Sequence, residues 1–310
     1  MSKQLTYKII LNPISGRGSG GRAIPKIENL LREYGLNFEI VQTKYPWHAA
    51  ELAQEAAAEH FDVIVAAGGD GTVNETINGL MRAKEAGNSL PALGVLSVGR
   101  GNDFAFSMGI PTEFEAGCKT LASNQRRNID IGRVVGGLYP QGRYFGNGVG
   151  IGFDAVVGFE ALKLKRLHGF PSYLVAALKT IFLYFHAPQV KITFGDESRE
   201  LPALMVSIMN GRRMGGGFMM APQGRSDDGL LNVCIVQQVS RPQMFSLIAK
   251  FMGGTQDADP AVQRIHTPQL LVTTQQGALP AHADGETLCV DGTELSLTLL
   301  PNQIELIYEA

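Results

Sequence analysis

Within Phe61–Lys84, three glycines in four residues surround one carboxylate: Gly68-Gly69-Asp70-Gly71, followed by Thr72. This composition suits anion binding. Glycine lets a backbone come close to a ligand. A helix N-terminus directs N–H groups and the positive end of its dipole at whatever sits there. The flanking segments supply those elements. Asp62-Val63-Ile64-Val65-Ala66-Ala67 is a short apolar run rich in β-branched residues, the pattern of a buried parallel strand. After the glycines, Val73, Ile77, Leu80 and Met81 recur at helical spacing. Thr72 with Glu75 three residues on reads as a capping box and places the helix start there. Strand, glycine turn and helix N-terminus predict a phosphate site.

Three more strand ends share this character. A strand over Tyr7–Leu11 is followed by Asn12-Pro13, a glycine loop over Ile14–Gly21 and a helix over Ala23–Tyr34. Gly16, Gly18 and Gly21 formally match a dinucleotide fingerprint, but the second strand, Phe38–Gln42, ends in Gln42-Thr43 and lacks the acid such a site wants. No Lys-Ser/Thr pair follows Gly21, which excludes a Walker A loop. A helix over Trp47–Glu59 and a fourth strand over Pro91–Val98, ending at Gly99-Arg100-Gly101-Asn102-Asp103, complete four βα units without hairpin signals. Parallel strands covered by helices follow. Ligands of such sheets collect at the carboxyl ends of the strands, where all four loops lie.

The chain has 310 residues, enough for two domains, and 45% hydrophobic with 18% charged residues fits a globular protein with a real core. A net charge of −2 argues against nucleic acid as a partner. Cys118, Cys234 and Cys289 are scattered and odd in number, which fits a reducing compartment and neither a disulfide framework nor a zinc site. The start lacks the apolar core of a signal peptide, and no uninterrupted apolar run is long enough to span a membrane. A cytoplasmic protein is expected. Near Asn128 the texture changes to short alternating runs, VKITF, LMVSIMN, LLNVCIV, LLVTT and LSLTLL, with one helical interlude over Pro242–Met252. These predict an antiparallel sandwich or barrel. The expected fold is therefore α/β: an N-terminal parallel-sheet domain over 1–128 and a C-terminal antiparallel β-sandwich domain over 129–301.

Five motifs in order give the chain a resemblance to the diacylglycerol kinase catalytic-domain family of soluble bacterial lipid kinases, related to sphingosine kinases. They are NPISGRG from Asn12, Gly68–Glu75, Gly99–Ala105, Gly215–Asn232 and Asp284-Gly285-Glu286. The resemblance implies the two-domain plan with 302–310 returning to the first domain. It implies that Asn12, Ser15, Gly16, Arg17, Thr43, Gly68, Gly69, Asp70, Gly71, Thr72, Val73, Asn74, Arg100 and Asn102 border ATP. Arg100 stands where the family has Thr; a guanidinium fork can still pair with phosphate. In Asp227-Asp228-Gly229-Leu230-Leu231-Asn232-Val233 the resemblance implies Mg²⁺ held by Asp228 and the carbonyls of Leu231 and Val233, a set that suits a hard cation. The residue-level reading of Asp227-Asp228-Gly229 is a β-turn, and both can hold together. Asp284 and Glu286 flank Gly285, and a phosphoryl acceptor hydroxyl needs such a carboxylate to take its proton. Glu286 is the preferred base, with Asp284 orienting and Asp70 completing the catalytic set; the exchange of Asp284 and Glu286 stays open. His282 reads as a neighbouring polar residue.

The implied activity is Mg-dependent, in-line transfer of the γ-phosphoryl group of ATP to a hydroxyl of diacylglycerol or a related lipid. Two alternatives stand beside it. An NAD kinase-like enzyme shares the GGDG loop, and an assay with NAD against diacylglycerol discriminates. A non-catalytic lipid-binding regulator would have lost turnover, against which the intact acids argue. A lipid kinase must meet a bilayer. Phe159–Phe185 carries Lys163, Lys165, Arg166 and Lys179 among leucines and aromatics, the composition of an interfacial helix. The Lys163–Arg166 piece is expected to meet the anionic inner face of the membrane, whereas for the second piece, with Leu174, Leu178 and Phe182 at helical spacing, packing on the β domain is preferred over membrane contact. A homodimer is an allowed assembly.

Overall fold

The computed structural model describes residues 4–99, 101–164, 167, 169–184 and 186–309. The chain divides into two compact units, Met1–Ile129 with Asn302–Ala310, and Asp130–Pro301. The first unit alternates strand and helix: β1 (Thr6–Leu11), α1 (Ser15–Glu33), β2 (Asn37–Gln42), α2 (His48–Ala58), β3 (Val63–Gly68), α3 (Asp70–Glu85), β4 (Ala92–Ser97), then the short α4 (Asp103–Met108) and α5 (Phe114–Ser123). Its strands are parallel and run β2-β1-β3-β4, and Leu306 near the C-terminus adds alongside Leu93 of β4. Every residue of β3 and β4 is buried, as expected where helices cover both faces. The core joins Ile9, Leu11, Val63 and Val65 of the sheet to Ile27 and Leu31 of α1 and to Cys118 and Leu121 of α5. The order reverses at β1, since β2 lies on one side of it and β3 on the other. The loops after β1 and β3 therefore flank a topological switch point, the place where open α/β sheets bind ligands.

After β5 (Arg126–Gly136), the second unit continues with β6 (Tyr139–Phe145), β7 (Gly148–Gly152), α6 (Phe153–Lys163), α7 (Phe170–Leu183), β8 (Gln189–Phe194), β9 (Glu197–Met209), β10 (Leu231–Gln237), α8 (Arg241–Gly253), β11 (Val262–Thr267), β12 (Gln269–Gln276), β13 (Leu279–Ala283), β14 (Glu286–Gly292) and β15 (Glu294–Ile307). The pairings within this unit that follow are antiparallel. One layer runs β14-β13-β7-β9-β10-β11. The other brings β9, β8, β12 and β15 together. Strand β9 serves both: Glu197–Pro202 pair with β8, and Ala203–Met209 with β10. Val206, Ile208, Val233, Ile235, Val272, Leu295 and Leu297 fill the space between the layers. Helices α6, α7 and α8 cover the outer face through Val157, Ala177, Leu247 and Phe251, packed on Met205, Met209, Cys234 and Val236. Burial pushes the Cys118 thiol up to about 11 and Cys234 to about 12, so neither is a reactive thiolate near neutrality.

Phe159–Phe185 resolves into the end of α6 and all of α7, with α7 starting at Phe170 beside Pro171. Phe185, Lys165 and Arg166 of the expected basic stretch lie outside the described residues. Glu160 of α6 is buried and accepts from Lys163 of the same helix and, at 2.6 Å, from Lys179 of α7. The Lys163 and Lys179 ammonium groups hold its carboxyl below the usual glutamate range. A carboxyl depressed in the folded state adds stability above its ordinary pKa, about 4.3, and loses it as pH falls through the lower folded value. Glu160→Gln should therefore lower the melting temperature at neutral pH. The gap to wild type should narrow as pH falls below the ordinary glutamate value, about 4.3, and through the lower folded value. A gap unchanged across that range in calorimetric scans would mean that the pair contributes nothing.

Candidate functional site

Helix α3 does not start where a capping box at Thr72 would put it. Gly69 is the N-cap, in extended conformation, and Asp70 opens the helix. Thr72 lies inside the first turn, and its Oγ1 accepts from Asn12 Nδ2 at 3.2 Å. Glu75 is too far along to reach the cap; its carboxylate accepts from Ala49 N at 3.1 Å and ties α3 to the start of α2. The earlier start is possible because of Gly68. A Cβ there would lie 2.3 Å from Thr72 Oγ1.

Three loops meet at this edge. Ser15 Oγ accepts from Gly69 N at 3.1 Å. Gly68 O accepts from Val98 N at 2.9 Å and from Gly99 N at 3.2 Å. A Cβ on Gly99 would stand 2.5 Å from Gly69 Cα, so the loops after β3 and β4 cross backbone on backbone. Asp70 Oδ1 accepts from Phe104 N at 3.0 Å and joins the first turn of α3 to that of α4. The first loop differs from its expected form. Helix α1 opens at Ser15, well before Ala23, and its first turn is kinked, with left-handed backbone at Gly16, Arg17 and Gly18. Arg17 accepts that conformation at φ 62°, where a residue with a Cβ costs about 1–2 kcal/mol. Asn102 caps α4 and donates to Gly99 O at 3.3 Å. Thr43 N, at the end of β2, donates to Leu11 O at 2.9 Å. Val73 and Asn74 are buried within α3. Arg100 lies outside the described residues.

The outward side of this arrangement is open. Gly71 is exposed, and a Cβ built on it meets nothing within 4 Å. First-turn N–H groups of a helix have no partner within the helix. A glycine-lined approach to them is what a phosphate requires, so the residues present fit a nucleotide phosphate.

The second unit holds the other expected carboxylates. Asp284 has left-handed backbone at φ 47°. Its Oδ2 accepts from Gly146 N at 2.8 Å, and its Oδ1 from Asn147 N at 3.1 Å and Gly148 N at 2.8 Å. Three backbone amides thus occupy this carboxylate and pin the Asp284-Gly285 bend to the turn before β7. Glu286, at the exposed start of β14, carries no such load. In the turn before β10, Asp228 Oδ1 accepts from Leu230 N at 3.0 Å, and Gly229 N donates to Asp130 Oδ2 at 2.8 Å. Leu231 and Val233 lie in β10, buried and flanked by β9 and β11. Among the described residues no three His, Cys, Asp or Glu side chains converge on a metal position. A hard cation here would rest on the Asp228 carboxylate, aided by carbonyl lone pairs that the strand ladder leaves over.

One constellation was missed from sequence. Asp154, in the first turn of α6, is buried; Ser207 Oγ of β9 donates to its Oδ2 at 2.9 Å, and His282 Nε2 of β13 lies 3.7 Å from its Oδ1. A Cβ on Gly150 would be 2.4 Å from Asp154 Oδ2 and 2.6 Å from His282 Nε2, so that glycine makes room for the pair. Asp154 forms the polar wall of a cavity otherwise lined by apolar groups, among them Val157, Ala177, Met205, Phe218, Leu247 and Phe251. The available signal was Ser207, a lone hydroxyl in the apolar run LMVSIMN.

Asp284→Asn leaves one acceptor oxygen for three amides and sets an NH₂ against an N–H. It should destabilise the fold by about 2 kcal/mol or more. Glu286→Gln should leave stability at wild type. Equal denaturation midpoints for the two variants would refute this division of roles.

Residues 6–134 match the family model of the diacylglycerol kinase catalytic domain. Residues 147–308 match the YegS C-terminal NAD kinase beta sandwich-like domain. A protein of Pseudomonas aeruginosa described as "Probable lipid kinase YegS-like" is 32% identical over 296 residues, which cover 95% of this chain and 92% of that one. The crystal structure of a diacylglycerol kinase from Bacillus anthracis superposes with a TM-score of 0.75 at 23% identity, covering 100% of this chain and 98% of the other. Yeast NADH kinase, solved with NADH, gives a TM-score of 0.54 at 11% identity over 100% of this chain and 85% of its own, a likeness of fold alone.

Proposed function

Because the chain belongs to the diacylglycerol kinase catalytic-domain family, an ATP-using lipid kinase family, we propose that it transfers the γ-phosphoryl group of ATP to a hydroxyl of diacylglycerol or a related lipid alcohol. The observation that carries the acceptor assignment is the apolar cavity walled by Asp154. Its volume of about 60 Å³ takes a short piece of hydrocarbon, and its apolar wall matches one. A nicotinamide dinucleotide is polar and anionic, and a buried carboxylate repels it.

On the donor side, the α3 N-terminus and the loops around Gly16, Gly69 and Gly99 hold the phosphates. Asp70 keeps two of those loops together through Phe104 N. On the acceptor side, Glu286 takes the hydroxyl proton as the oxygen bonds to the γ-phosphorus. The bond from phosphorus to the β,γ-bridging oxygen breaks, and ADP leaves with its electron pair. Mg²⁺ bound to ATP would neutralise charge on its phosphates, and Asp228 would be the protein carboxylate for a hard cation in the second unit. Asp284 is a positioning residue for the bend that carries Glu286.

Membrane contact belongs to this reading. Leu178 and Phe182 of α7 and Phe245 of α8 are exposed, and the two phenyl rings meet with centroids 6.4 Å apart. Glu160 offsets part of the charge of Lys163 and Lys179, so apolar insertion contributes more here than the basic stretch. The pair Phe182→Ser and Phe245→Ser should reduce co-sedimentation with anionic vesicles. Undiminished pelleting would remove this face from the reading.

The direct test is phosphorylation by the purified protein with labelled ATP, offered diacylglycerol, monoacylglycerol, a sphingoid base and NAD. Label in a lipid supports the proposal; label in NAD alone sinks it. Glu286→Gln should cut the rate roughly 100–10,000-fold with ATP affinity intact. Gly71→Ala should fold at least as well as wild type, since its Cβ enters open space. Its KM for ATP should rise roughly tenfold, the scale of one lost hydrogen bond. An unchanged KM would place the phosphates elsewhere.

A further inference from the structure

Tyr45 stands in the turn joining β2 to α2. This turn lies at the carboxyl end of β2, and the bond from Thr43 N to Leu11 O ties it to the end of β1, one residue before Asn12. Only β1 separates β2 from β3, so the turn is two strand spacings, about 10 Å, from the Gly68 loop. Glu75 also fixes the start of α2 against α3, through Ala49 N. The turn thus has a set position relative to the helix whose N-terminus faces the phosphates, and a nucleoside triphosphate is long enough to reach from one to the other.

The Tyr45 side chain is 51% exposed, yet it is held. Its ring stacks on His48 with centroids 4.4 Å apart and planes 24° from parallel. Its hydroxyl donates to Glu51 Oε2 at 2.5 Å, and His48 Nδ1 in turn accepts from Lys44 N at 3.0 Å. One ring face is covered by the imidazole, while about half of the residue stays exposed to solvent. An immobilised aromatic face at the nucleotide end of a sheet has the geometry of a stacking platform, which any planar heteroaromatic ring fits.

We infer that Tyr45 stacks on the base of the nucleotide donor and that the His48–Tyr45–Glu51 arrangement makes the protein select a purine nucleotide over bare polyphosphate. The inference rests on the nucleotide reading of the preceding subsection and adds the residue that recognises the base. Tyr45 touches the base and takes no part in phosphoryl transfer; His48 is a positioning residue acting through Tyr45.

Calorimetric titrations of the full chain with ATP and with inorganic tripolyphosphate separate the two layers. Trp47, the one tryptophan of the sequence, sits two residues from Tyr45 and reports on the turn by its emission. Wild type should bind ATP about tenfold or more tightly than tripolyphosphate, the scale of one base–aromatic stack. ATP, and not tripolyphosphate, should change Trp47 emission. Tyr45→Ala should bring ATP down to the affinity of tripolyphosphate, silence the emission change and raise KM for ATP with kcat retained. Tripolyphosphate affinity and melting temperature should not move. Tyr45→Phe, which keeps the ring, should stay close to wild type. ATP affinity unchanged in Tyr45→Ala overturns the inference and leaves the nucleotide reading standing. Wild-type protein that binds neither ligand overturns both.

Discussion

Three loops can meet at the carboxyl edge of the parallel sheet only because their backbones touch there. Gly69 and Gly99 cross with no room for a side chain on the second, and Gly68 clears the space that Thr72 enters. Everything at that edge depends on that contact. It lets Ser15 reach Gly69 N, lets Asp70 reach Phe104 N, and sets the first turn of α3 open toward solvent at Gly71. Glycine carries an entropic cost of roughly 0.5–1 kcal/mol relative to alanine in a regular element. Here the cost is offset by bonds between loops that no bulkier residue would permit. The glycines consequently divide by role. Gly68 and Gly99 are required by the fold itself, while Gly71 has no steric duty toward the protein.

Asp284 holds the bend before β14 in a comparable way. A carboxylate has about four lone-pair sites, and three of those on Asp284 are taken by consecutive amides. Such a group is a clamp, its oxygens engaged by the turn before β7. Its left-handed backbone, costly for a residue with a Cβ, is sustained by those same bonds. Glu286 two residues later inherits a defined position without sharing the burden. Sequence preferred Glu286 as the base but left the exchange open, because spacing does not show which acid the neighbouring turn will engage.

That difference marks how far the sequence could be read. Periodicity located β3, α3, β4 and the alternating strands of the second unit, since burial on both faces or on one leaves a direct trace in residue type. The α/β plan followed from those traces. Local signals misled where a distant residue competed for the same atom. Thr72 and Glu75 have the spacing of a capping box, yet Asn12 and Ala49 claim their side chains. A capping box does form at Ser240 and Gln243, where Ser240 N donates to Gln243 Oε1 at 3.0 Å. Helix α5 escaped notice because Cys118 and Leu121 make a short apolar stripe between polar residues. Asp154 escaped because its partners, Ser207 and His282, are far away in sequence and meet it only when β9 and β13 flank β7.

The Asp154 cluster also bears on which ligand the second unit is built to receive. Removing a carboxylate from water costs several kcal/mol after relaxation. The compensation here is one hydroxyl on Oδ2 and an imidazole nitrogen 3.7 Å from Oδ1, beyond hydrogen-bond range. A cavity meant only to be filled by hydrocarbon would be more stable with an apolar residue at that position. One meant for a polar metabolite would carry several polar groups along its wall. A lone carboxylate on an otherwise apolar wall suits a ligand that is itself divided, with a chain that removes hydrocarbon from water and a donor group near one end. Such a donor, on a group other than the reacting hydroxyl, would restore to Asp154 the hydrogen bond it gave up on burial.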